Sequence, residues 1–124
     1  PWAERGRIMP KDLSNEKFLM REKGSATRDI TEKTFQKMGI KLSIAMEMPA
    51  PEAIKRGVMA GIGPAFISQF AVQDELKNGS LVAVNIQGVK ITRNFMIVHK
   101  RKRQMLPVPR AFLEELLNFR SHYC

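Results

Sequence analysis

Between residues 18 and 86 the hydrophobic period changes repeatedly, from short apolar runs to helical spacing and back. Phe18-Leu19-Met20-Arg21 reads as a short buried strand. Residues 26–38 follow as a helix, with Ile30, Thr34, Phe35 and Met38 on its core face and Gly39 just past its end. Leu42, Ile44, Met46 and Met48 then alternate with Ser43, Ala45 and Glu47, the two-residue repeat of a half-buried strand. Pro49-Ala50-Pro51 turns the chain into a helix over 52–60 whose inner face carries Ala53, Ile54, Gly57 and Val58. Glycine weakens a helix, so Gly57 on that inner face points to close backbone packing. Gly61-Ile62-Gly63-Pro64 breaks the helix ahead of a strand at 65–67, a helix at 71–78 closed by Gly79, and a nearly all-apolar strand at 81–86. A strand at 94–100 and a helix at 108–119 complete the pattern, the helix aligning Phe112, Leu116 and Phe119. Such alternation specifies an α/β domain: a mixed sheet flanked by helices.

The chain is 124 residues long, one domain's worth, and it can bury a real core. It has no apolar run of membrane-spanning length and no export-signal design at its start, which also lacks an initiator Met. The expectation is a soluble, cytoplasmic piece of a longer protein, with no membrane partner. Its one cysteine, Cys124, is the last residue, so no internal disulfide or Cys-rich metal site can form. The net charge of +9 raises the question of nucleic acid. The charge is lopsided, with no acid between Glu75 and Glu114, but the run Lys100-Arg101-Lys102-Arg103 sits between a strand and a helix without the aromatic residues that stack on bases, and reads as a solvated loop.

Chemistry concentrates where the first strand stops. In Arg21-Glu22-Lys23-Gly24-Ser25-Ala26-Thr27-Arg28 a glycine is followed by a helix opening on hydroxyl residues. Unpaired N–H groups, the positive end of the helix dipole, two hydroxyls and an unobstructed glycine make a place for a small anion. The plain alternative is an ordinary N-cap at Ser25. Other motifs carry less. Gly61-Ile62-Gly63 lacks the third glycine of a dinucleotide loop and has no phosphate lysine after it. His99 and His122 lack metal-ligand spacing, and Ser25 and Ser68 lack a nucleophile-elbow context. Glu47, Glu52, Asp29 and Glu32 lie where surface charge is common, and the methionines suit a core. No catalytic residue, metal or cofactor is expected.

In order and spacing, the Arg21–Arg28 motif, Glu52-Ala53-Ile54-Lys55, Gly61-Ile62-Gly63, Ile67-Ser68, Gly79-Ser80-Leu81-Val82 and Ala111-Phe112-Leu113 resemble the effector-binding half of LysR-type transcriptional regulators. The first motif is most similar to the branch governing carbon fixation and sulfur assimilation. The resemblance implies a lobe like that of type II periplasmic binding proteins, within an incomplete two-lobe effector domain. Residues 1–88 would be the second lobe and 89–124 the returning strand and helix of the first. The winged helix-turn-helix that reads DNA would lie outside this chain. A small anionic effector would sit between lobes at the carboxyl ends of strands, against Gly24, Ser25 and Thr27, with Met48, Pro49, Gly63 and Pro64 lining the cleft further. The turn before Glu52 commonly carries a polar residue in this family. Here it reads Met48-Pro49-Ala50-Pro51, which leaves the backbone to serve. The resemblance also implies a homodimer or tetramer, with DNA contacted only through the missing domain. A periplasmic solute-binding protein shares the lobe design and is the alternative, and an enzyme or nucleic-acid module rests on charge alone.

Overall fold

A computed structural model describes residues 2–94, 96–98 and 106–123, the last five without their side chains. They fall into two compact units, 1–93 and 94–124.

The first unit is built around the apolar run at 18–20. Strand β2 (Lys17–Arg21) buries Phe18, Leu19 and Met20 almost completely, so both of its faces are covered. It pairs in parallel with β3 (Ser43–Met48), Lys17 opposite Ser43 and Arg21 opposite Met48. On its other edge Leu19 forms a parallel bridge with Ala65, and the Leu19 N–H donates to the Pro64 carbonyl at 2.9 Å. β2 is therefore the central strand of this parallel arrangement, as expected of a sheet lying between helix layers. Strands β1 (Arg7–Ile8) and β4 (Asn85–Ile86), each two residues long, form a second short parallel ladder, with β1 following the brief helix α1 (Trp2–Arg5).

Helix α2 (Ala26–Lys37) covers the Phe18 side. Phe66 stacks on Phe18 with 5.1 Å between ring centroids and meets Phe35 of α2 at 5.3 Å, within the range where aromatic pairs attract. Helix α3 (Pro51–Met59) covers the Leu19 side, with Pro51 in its first turn. A Cβ on Gly57 would lie 2.6 Å from Leu19 Cδ1 and 3.2 Å from Met48 Cε, so the helix approaches the sheet as closely as it does only because that side chain is missing. The packing expected of Gly57 is the packing observed. A 3₁₀ turn at Gln69–Val72 leads into α4 (Gln73–Asn78), which ends at Gly79.

Several expectations need correction. The ladders among the described residues are parallel and divided in two, where one mixed sheet was expected. Only Asn85–Ile86 of the run at 81–86 is strand. In α2 the buried stripe is Arg28, Thr31 and Phe35, while Met38 is exposed. An ion pair from another strand draws Arg28 inward, and a core face counted from apolar residues alone misses it. Alternation in β3 is interrupted because the register slips between Phe18 and Leu19, which face Ile44 and Met46 and leave Ala45 as the extra residue.

The second unit contains α5 (Pro107–Tyr123), which spans the expected helix and extends a turn beyond it. Asn94 and Met96 to Val98 are not in a strand, and the rest of the expected strand, with His99, the run at 100–103 and Cys124, lies outside the described residues.

Candidate functional site

The parallel register places the segments that follow β2 and β3 at one end of the sheet. After β2 the chain passes through Gly24, whose φ of +89° is open to glycine and costly for other residues, and enters α2 with Ser25 as N-cap. The Ser25 side chain makes no capping bond to its own helix; only its backbone is engaged, accepting from the Asp29 N–H at 2.9 Å and donating to the Glu22 carbonyl at 3.2 Å. Two residues on, the Thr27 hydroxyl accepts a hydrogen bond from Arg93 Nη1 at 3.1 Å. Two hydroxyls, the N-terminus of a twelve-residue helix and a guanidinium thus converge beside a glycine. Every one of these groups favours an anion.

Arg21, Glu22 and Arg28, on either side of the junction, are paired within the protein. Arg28 is buried and forks three ways: Nε to Glu32 at 2.9 Å, Nη1 to Glu47 at 2.8 Å and Nη1 to the Arg21 carbonyl at 3.1 Å. The Glu47 carboxylate above all, then Glu32, raises its pKa against the opposing effect of burial. Arg28 thereby joins the first turn of α2 to the ends of both β2 and β3. Arg21 pairs with Glu22 through two contacts of 2.8 Å, which hold the Glu22 carboxyl below its ordinary range. These side chains fix the junction in place, whereas the Ser25 side chain makes no cap bond.

Of the residues expected to form the site, the structure brings Gly24, Ser25, Thr27, Met48 and Pro49 to the same end. Met48 faces Arg21 across the ladder, and its side chain packs at Gly57. Gly63 and Pro64 are placed elsewhere. A Cβ on Gly63 would run into the Lys17 carbonyl, and Pro64 pairs with Leu19. Both lie toward the start of β2, Gly63 about 13 Å and Pro64 about 10 Å along the strand from its carboxyl end at ~3.3 Å per residue. The residue of that segment that does reach the carboxyl end is Ser68. It follows the Ala65 bridge by three positions and caps the Gln69–Val72 turn without a side-chain cap bond. The signal was in the sequence: Ile67-Ser68 repeats the arrangement of a strand end followed by a hydroxyl at a helix start. Arg93 gave no such signal, because it is 66 positions from Thr27.

Among the described residues no group of His, Cys, Asp and Glu could hold a metal ion, and no helix is long and apolar enough to cross a membrane.

Comparison with known proteins gives the chain's family and fold. The LysR substrate binding domain family matches residues 1–120. The HTH-type transcriptional regulator CbbR of Xanthobacter flavus is 40% identical over 93% of this chain, and the HTH-type transcriptional activator CmpR of Synechocystis sp. PCC 6803 is 31% identical over 94%. The chain spans 35% and 38% of their respective lengths. Among solved structures, the regulatory domain of CcmR from Synechocystis PCC6803, in complex with 2-PG, superposes with a TM-score of 0.79 at 24% identity, covering 96% of this chain and 57% of that one. That likeness shows the fold to be the α/β, type II periplasmic-binding-protein-like class. With relatives drawn from the carbon-fixation branch, the chain belongs to the LysR substrate-binding domain family.

Proposed function

We propose that the chain is the effector-sensing part of a bacterial LysR-type regulator and that a small, doubly anionic metabolite binds at the carboxyl end of β2. The observation that carries this reading is the Ser25 hydroxyl, an N-cap side chain not used by its own helix, two residues from a Thr27 hydroxyl held by Arg93. CcmR binds 2-PG, 2-phosphoglycolate, whose phosphate suits a helix N-terminus and whose carboxylate suits a guanidinium. The ligand would engage Gly24, Ser25 and Thr27, the backbone at Met48 and Pro49, and Ser68. Gly63 and Pro64 would support the central strand.

Residues 1–88 are proposed as most of the second lobe and 89–124 as the returning part of the first. The complete regulator would act as a dimer or tetramer in the cytoplasm and contact DNA through a separate domain. Its work would be binding rather than catalysis: a ligand that favours one lobe arrangement shifts the population and hence the geometry offered to DNA. Calorimetry with 2-PG tests the reading. Ser25→Ala and Thr27→Val should each weaken binding by about 0.5–3 kcal/mol, the range for a lost hydrogen bond to a neutral or charged partner. Unchanged affinity in both variants would reduce the junction to a helix cap.

A further inference from the structure

An apolar cavity of about 350 Å³ lies within residues 2–91, apart from the hydroxyl-lined junction. Ile8, Leu13, Phe18 and Val72 form its floor, none more than 6% exposed. The rings of Trp2 and Phe66 wall it, with Trp2 6.2 Å and Phe66 5.1 Å from Phe18 between centroids. Residues 81–84 form the rim, where Val82 is 57% exposed and the cavity meets solvent. No charged side chain lines it, and the polar side-chain groups are the Asn85 amide and the Trp2 indole N–H.

Apart from those two groups the lining side chains carry no polar atom, and an apolar cavity of about 150 Å³ is large enough to take benzene. This one has roughly twice that volume. Its aromatic walls offer offset and edge contacts to a flat ring. A charge carried into it would lose its hydration without a partner. We infer that the first unit holds a second small-molecule site, selective for an uncharged aromatic compound of one or two rings. Its ligand is the chemical opposite of the anion expected at Ser25 and Thr27, so the site stands whether or not that reading holds.

Trp2 is the only tryptophan in the chain, so its indole N–H is a single, assignable reporter in the cavity wall. The whole chain is titrated with naphthalene and, separately, with 2-naphthalenesulfonate, following that resonance by ¹H–¹⁵N correlation spectra. A saturable shift with naphthalene, at least tenfold weaker with the sulfonate, is expected. Val84→Phe, which fills the cavity from the rim, should abolish it, and Val84→Ala should preserve it. Ala83→Phe at the exposed rim repeats the blocking test should Val84→Phe lose its spectral dispersion. A shift that fails to saturate, an equal response to the sulfonate, or undiminished uptake in a folded blocking variant would overturn the site.

Discussion

Arg28 shows how one side chain decides the form of the junction. Its guanidinium is buried and meets Glu47, Glu32 and the Arg21 carbonyl, which leaves the strand ends and the helix start no freedom to drift apart. Arg28→Met keeps much of the apolar stem but removes the hydrogen bonds of the fork. Stability should fall by about 1–3 kcal/mol, the cost of leaving buried polar partners unmatched, and a urea midpoint shift at constant slope measures it. Affinity for 2-PG should fall as well, because the hydroxyls lose their fixed spacing. None of this is legible in the linear chain. Arg28 lies seven positions before Phe35 and so on its flank of the helix, but its charge marks it for solvent, and only Glu47, 19 positions later in the sequence, supplies the partner that keeps it inward. Ser25 and Thr27 were legible, because a strand ending in glycine and a hydroxyl-rich helix start carry their chemistry in adjacent residues.

At the scale of elements, two devices join α3 to its neighbours. Gly57 lets the helix lie on Leu19 and Met48, and Gly57→Val should cost about 1–3 kcal/mol through overpacking, more than its gain in helix order returns. Thermal unfolding of the variant measures the loss. Lys55, buried between Glu52 and Glu75 with both contacts at 2.8 Å, ties α3 to α4. Glu52 first and then Glu75 raise the Lys55 pKa, and Lys55 lowers that of Glu75. A lowered carboxyl contributes stability above its unfolded pKa and loses it as pH falls through the folded value; a raised lysine contributes below its unfolded pKa and loses it as pH rises through the folded one. The wild-type advantage over Glu75→Gln should thus be present near neutrality, close below the carboxylate range, and close again in strong alkali. Urea midpoints across pH measure both limbs. The elements themselves were readable in proportion to length: α2 and α3 announced themselves, whereas β1, two residues long, has no period to show. The run at 81–86 reads as a strand by apolarity, but residues 81–84 line the cavity instead of joining a ladder.

For the whole molecule, the α/β class follows from the order of strands and helices, and the location of the site follows from the parallel register of β2 and β3, which sends both succeeding loops to one end. The sequence motifs could not show that Gly63 and Pro64 are at the other end of that strand, because the direction of the Ala65 bridge is a fact of three dimensions. The proposed binding end is tested most directly by titrating the ¹⁵N-labelled chain with 2-PG and mapping the amide shifts. Saturable changes should centre on Gly24 to Thr27, with smaller ones at Met48, Ala50, Ser68 and Arg93. Changes confined to Gly63 and the start of β2, or no saturable change while a binding-competent CcmR regulatory domain responds in the same buffer, would contradict the proposed site.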